Sequence, residues 1–124
     1  MEKTKKKILV IDDDVTHLAV TDTILKDKYE VFTAKTGLEA LDFMKKCNIP
    51  DLILLDIIMP KMDGWEVYTT IKGIGLLQNI PIIFITSLED PLNDKHAKTF
   101  GIDDFLIKPI KKSTLLHKVS QLLK

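Results

Sequence analysis

Residues 8–14 read Ile-Leu-Val-Ile-Asp-Asp-Asp (ILVIDDD), four apolar residues in a row followed by three carboxylates. An unbroken apolar run of this length, with no polar alternation, fits a strand covered on both faces, as in a parallel sheet flanked by helices. The pattern recurs along the chain: LILL at 52–55 ends on Asp56, IPIIFI at 80–85 ends on Thr86, and FLI at 105–107 ends on Lys108. In open parallel sheets, ligands bind in the crevice outside the carboxyl ends of the strands. Asp12, Asp13, Asp56, Thr86 and Lys108 are therefore expected on one rim.

Working outward, strands are predicted at Lys7 to Ile11, Glu30 to Thr33, Leu52 to Leu55, Ile82 to Thr86 and Asp104 to Ile107, with helical patterns between them and after the last. A first helix is expected over Val15 to Asp27, capped by Asp14, with Val15, Leu18, Ala19 and Leu25 inward. Thr36 with Glu39, and Asp63 with Glu66, carry the spacing of a capping box ahead of two further helices. The last helix places Leu115, Leu116, Val119, Leu122 and Leu123 on one face, with Ser113 expected to cap it. Pro91 to Phe100 has a poor apolar stripe and predicts a short, loosely held helix. Strict βα alternation implies right-handed crossovers with helices on both sides of one sheet.

Bulk properties narrow the classes. With 124 residues the chain fits one domain, read as a basic N-terminal tail at 1–6 and one folded unit at 7–124. Lys plus Arg and Asp plus Glu both total 18, so no overall charge draws the chain to nucleic acid or to a membrane. The four lysines between Glu2 and Lys7 read as a solvated tail. Cys47 stands alone, which excludes a disulfide framework and suits a reducing cytoplasm. No apolar run approaches the ~20 residues of a membrane span, and no apolar block of a signal peptide follows the lysines.

Gathering Asp12, Asp13 and Asp56 has an electrostatic consequence. Two carboxylates ~5 Å apart repel by about 3 kcal/mol at an effective dielectric of 20, so such a site either takes up protons or recruits a cation. All-oxygen, acid-rich donors suit a hard divalent ion, and Mg²⁺ fits best. With the Lys108 ammonium and the Thr86 hydroxyl, the site could hold the oxygens of a phosphoryl group while Asp56, on the most uniformly apolar strand, attacks phosphorus.

At this point the segments ILVIDDD, LILLDIIMPKMDG, IFITS and DDFLIKPI together resemble the receiver domains of two-component response regulators, in the right order and over essentially the whole chain. The resemblance implies a doubly wound, flavodoxin-like α/β fold of five parallel strands in the order 2-1-3-4-5 with five helices. It implies Asp56 as phosphoacceptor, with Mg²⁺ held directly by Asp13, Asp56 and the backbone carbonyl of Ile58, and by Asp12 through water. Lys108, before a Pro109 that the family usually holds in a cis bond, would contact a phosphoryl oxygen. Thr86 and Phe105 would be the switch residues remodelling the face of the fourth helix, fifth strand and fifth helix. Pro60 and Gly64 would shape the loop beyond Asp56. Implied partners are a sensor histidine kinase or phosphotransfer protein and an unidentified output, with room for a phosphorylation-dependent dimer. The domain would catalyse only its own phosphorylation and dephosphorylation. Phe105 lacks the hydroxyl of the tyrosine found in many members. The apolar Ile58 and Leu88, flanking the path of a hydrolytic water, predict slow loss of the phosphoryl group.

A rival reading starts from the same letters. Asp12, Asp14 and Thr16 spell the DxDxT nucleophile motif of haloacid-dehalogenase-like phosphatases, with Asp12 attacking and Asp103-Asp104 as the final acidic pair. Those last acids precede FLI and would fall on the opposite rim, and LLDIIMPKMDG is left unexplained. A flavodoxin-like cofactor site is disfavoured because acids, not a glycine-rich loop, follow the first strand. His17, His96 and His117 have no carboxylate at ligand spacing and are expected on surface or half-buried positions. Trp65 and Tyr68 read as packing or surface residues.

Overall fold

A computed structural model describes residues 5–46, 48–57, 59, 62–86 and 105–123. Five parallel strands, β1 (Lys7–Ile11), β2 (Glu30–Ala34), β3 (Leu52–Asp56), β4 (Ile82–Thr86) and β5 (Phe105–Ile107), form one sheet in the order β2-β1-β3-β4-β5. Two strands run one residue further than the sequence suggests, to Ala34 and Asp56, because the ladder continues through them: Ile11 pairs with Ala34 and Asp56 with Ile85. Asp56 is thus the last residue of a strand, held by the sheet itself.

The uninterrupted apolar runs divide by alternation between two cores. Leu9, Ile11, Ile53, Leu55 and Phe84 pack with Leu41, Val67 and Ile71, which come from helices α2 (Gly37–Lys45) and α3 (Gly64–Lys72). Ile8, Val10, Leu52, Leu54, Ile83 and Ile85 pack on the opposite face with Leu18 and Leu25 of α1 (Val15–Leu25) and with Leu115 and Val119 of the C-terminal helix (Lys112–Leu122). Each side chain of this kind contributes roughly 1.5–3 kcal/mol on burial, so a one-residue slip of any central strand would exchange two filled cores at once.

Helix starts are mostly as the sequence predicts. Asp14 accepts hydrogen bonds from the backbone N–H of Thr16 and His17, Thr36 from that of Glu39, and Asp63 from that of Glu66. The C-terminal helix departs: Lys111 is its N-cap, without a side-chain cap, and Ser113 already lies inside the first turn. In α1 the inward stripe is Leu18, Thr21 and Leu25, while Val15 is 55% exposed and Ala19 also faces out. Thr21 is hidden from a hydropathy reading because its hydroxyl donates to the His17 carbonyl at 2.9 Å, which makes a polar side chain acceptable in the core. Among the described residues there are four helices. The helix expected at Pro91 to Phe100 falls outside them, as do Cys47, Leu88, His96, Asp103 and Asp104.

Candidate functional site

The carboxyl rim of β1 and β3 carries the acids. Asp12 follows β1 directly, and its backbone N–H donates to the Ala34 carbonyl at 3.0 Å, which fixes its exit from the sheet. Its side chain is fully buried, Asp56 is nearly so, and Asp13 is exposed. One carboxylate oxygen from each of Asp12, Asp13 and Asp56 lies within 4.8 Å of the others. The predicted three-acid cluster is therefore assembled.

Lys108 reaches the same place from β5. Its backbone N–H donates to the Thr86 carbonyl at 2.7 Å, and its Nζ lies 3.4 Å from Asp56 Oδ1 and 3.7 Å from Asp12 Oδ2. The Lys108–Pro109 peptide is cis, as the resemblance implies. Thr86 ends β4, buried, one residue beyond the Ile85 that pairs with Asp56. Phe105 pairs with Phe84 across β4 and β5, and is half-buried with its ring centroid 5.7 Å from that of Phe84 and 6.4 Å from that of Trp65. Trp65 is buried, so its packing role holds.

Gly64 lets α3 begin against the backbone of Asp56 and Ile57. A Cβ there would stand 2.7 Å from Ile57 Cα and closer still to the Asp56 carbonyl oxygen, while the Gly64 N–H donates to the Ile57 carbonyl at 2.7 Å. No side chain fits that approach. Ile58 and Pro60 lie outside the described residues.

The electrostatics follow from burial and crowding. Burial, and then the Asp12 charge, push the Asp56 carboxyl up to about 7, against the opposing pull of Lys108. Burial also works against the charge on Asp12, but hydrogen bonds from the His17 ring and the Asp14 backbone, with the Lys108 ammonium, hold it below the usual carboxylate range. Among the described residues, one ammonium pairs with two of the three carboxylates. The donor set, three carboxylates with one open to solvent, fits a hard divalent cation that keeps part of its water shell.

One member of this site escaped the sequence reading. His17, expected at a surface or half-buried position with no carboxylate at ligand spacing, is half-buried, yet places Nδ1 against Asp12 Oδ2. The available signal was positional: Asp14 caps α1, so residue 17 lies in its first turn, where side chains lean back toward the helix N-terminus and the end of β1. His117, by contrast, is exposed as expected.

A parallel sheet in this order, with acids at the ends of its first and third strands and a lysine after its fifth, defines a doubly wound α/β domain with an acid pocket at its carboxyl rim. The model of the response regulator receiver domain family matches residues 8–120, and the chain belongs to that family. It is 37% identical over 125 aligned positions to a probable transcriptional regulator, ycf27, of Cyanophora paradoxa, covering all of this chain and 51% of that protein. It is also 37% identical over 118 positions to the CAI-1 autoinducer sensor kinase/phosphatase CqsS of Vibrio cholerae, covering 94% of this chain and 17% of that one. Among solved structures, the chemotaxis protein CheY4 of Vibrio cholerae superposes with a TM-score of 0.86 at 30% identity, over 96% of this chain and 99% of that one. The receiver domain of a histidine kinase from Syntrophus aciditrophicus gives 0.86 at 35%, over 95% and 89%. The chain spans about half the length of most of the curated relatives it matches, and less of others. Nothing in these matches supports the phosphatase alternative. No helix among the described residues is long and apolar enough to cross a membrane.

Proposed function

We propose that Asp56 is the phosphoacceptor of this receiver, taking a phosphoryl group from the phosphohistidine of a cytoplasmic sensor kinase or phosphotransfer protein. The observation that carries the reading is the placement of Lys108 Nζ 3.4 Å from Asp56 Oδ1 beside two further carboxylates. An Asp56 oxygen attacks phosphorus, the phosphorus–nitrogen bond breaks with its electron pair going to the donor imidazole, and that nitrogen takes up a proton.

Asp13, Asp56 and the Ile58 carbonyl would hold Mg²⁺ directly, with Asp12 acting through water. When bound, the ion supplies charge neutralisation for the acids and for the phosphoryl oxygens. The chain's own groups do the rest. Lys108 already stands on the Asp56 side of the pocket and neutralises a phosphoryl oxygen as charge develops there. The sheet fixes Asp56 at a strand end, so attack needs little reorganisation. Thr86, at the end of the adjacent strand, donates its hydroxyl to the phosphoryl group, and Phe105 follows by repacking against Phe84. The outer face of β5 and the C-terminal helix then carries the signal to an output, in the same chain or another, or to a second copy. The domain turns over no metabolite.

The test is incubation with acetyl phosphate and Mg²⁺ followed by intact mass measurement. Wild type should gain a single phosphoryl group and Asp56→Asn none. An adduct that survives in Asp56→Asn removes the assignment.

A further inference from the structure

The His17–Asp12 contact has no part in the reading above. Both Asp12 oxygens are already engaged by protein: Oδ1 accepts from the Asp14 N–H at 3.0 Å, while Oδ2 faces both His17 Nδ1 and, at 3.7 Å, Lys108 Nζ. An ionised carboxylate only accepts hydrogen bonds, so Nδ1 carries the hydrogen of this pair. His17 is itself anchored through its backbone. Its backbone N–H bonds to Asp14 Oδ1 at 3.3 Å, its carbonyl accepts from Thr21 Oγ1, and its Nε2 is buried, with no hydrogen-bond partner among the described residues. A ring whose far nitrogen goes without a partner is being held by its near one.

We infer that His17 is a positioning residue of the acid pocket, fixing the Asp12 carboxylate through Oδ2 so that its orientation does not depend on Lys108. The need arises because Lys108 serves two carboxylates, at 3.4 and 3.7 Å. Without His17, an ammonium that turned to a phosphoryl oxygen would leave Asp12 Oδ2 with no side-chain partner among the described residues, and the carboxylate could swing in the pocket. His17 stays, and Asp12 continues to present a fixed acceptor to water around the ion. Groups that orient a metal's ligands and the waters around it in this way commonly change affinity by ten- to a hundredfold when removed.

The inference rests on the Mg²⁺ reading of the pocket, and the experiment separates the two. Mg²⁺ binding is followed by calorimetry on the unphosphorylated chain for wild type, His17→Leu, which removes the donor, and His17→Asn, whose amide can replace Nδ1–H. Thermal unfolding of each variant reports that it is folded. His17→Leu should raise the Mg²⁺ Kd by about tenfold and His17→Asn by no more than about threefold. In acetyl phosphate assays the Mg²⁺ concentration giving half the maximal rate should rise in parallel, with the rate at saturating Mg²⁺ little changed. A leucine variant with the wild-type Kd, or an asparagine variant as weak as the leucine one, overturns the inference while leaving the Mg²⁺ reading standing. A wild type that binds no Mg²⁺ overturns both. Should His17→Leu not fold, His17→Ala against His17→Asn reads the same contrast.

Discussion

The Lys108 ammonium stands 3.4 Å from Asp56 Oδ1, yet burial and the Asp12 charge still push the Asp56 carboxyl up to about 7. A single cation does not offset the crowding, and the metal-free pocket therefore works against folding at neutral pH. The folded protein keeps a proton on Asp56 up to about 7, whereas an unperturbed carboxyl releases it near 3.8. Between those values the folded state binds more protons than the unfolded one, so stability falls as pH rises through that window and levels off above it.

Asp56→Asn should remove that loss. Urea unfolding in the presence of a chelator is expected to find the variant more stable than wild type at pH 8, by on the order of a few kcal/mol, with the gain shrinking toward pH 4. Asp12 runs the other way, since its held-down carboxyl adds stability that is lost only below the usual carboxylate range. A variant no more stable than wild type at pH 8 would mean that the pocket does not repel its own acids.

Mg²⁺ should reverse the same penalty. At a hundredfold excess over its Kd, a ligand that binds only the folded state stabilises by about 2.7 kcal/mol, so the melting temperature of wild type should rise with Mg²⁺ and return with a chelator. Asp13→Asn separates binding from packing, because Asp13 is exposed and its loss costs the core nothing. The variant should melt near wild type without Mg²⁺ and respond much less when Mg²⁺ is added. An undiminished response would take Asp13 out of the donor set.

Most of this arrangement can be read from the chain because strand ends and charges coincide: the runs before Asp12, Asp56, Thr86 and Lys108 are unbroken, and a buried strand reports its own terminus. What escaped was governed by groups that hydropathy does not score. Thr21 enters the core because His17 supplies its acceptor, which leaves Val15 and Ala19 outside the stripe expected for them. The C-terminal helix starts at Lys112 without a side-chain cap, so Ser113, a residue of capping type, misled. His17 reaches Asp12 across the turn between a strand and a helix, a proximity set by three-dimensional direction and not by any repeat in the sequence.

Gly64 offers a test of how the fold holds Asp56. Gly64→Ala places a Cβ against Ile57 Cα and the Asp56 carbonyl, both backbone, so relief requires the start of α3 or the end of β3 to move. Overpacking of this kind costs roughly 1–3 kcal/mol, and displacement of Asp56 should slow acetyl phosphate labelling well beyond what the lost stability explains. Gly75, where an added Cβ meets nothing within 4 Å, is the control. Gly75→Ala should leave labelling at the wild-type rate. Equal labelling by the two variants would show that the close approach at Gly64 is not what positions the acid.

The aromatic cluster would give the proposed switch an internal reporter. Trp65, the only tryptophan of the chain, has its ring centroid 4.5 Å from Phe84 and 6.4 Å from Phe105, and Phe84 is fully buried between β3 and β5. Phe105 carries no hydroxyl, so the two positions proposed for it would differ only in packing, and the rings nearest to it must register any move. Trp65 emission should therefore change when acetyl phosphate and Mg²⁺ are added to wild type, with the kinetics of the mass adduct. Asp56→Asn should abolish the change. Phe105→Leu should be phosphorylated at the wild-type rate but show a much smaller change, because the Phe105 side chain offers no polar group to the pocket of Asp12, Asp13, Asp56 and Lys108. If Phe105→Leu keeps the full signal, Trp65 is reporting the acid pocket through Phe84 or α3, and the Phe105 switch loses its support.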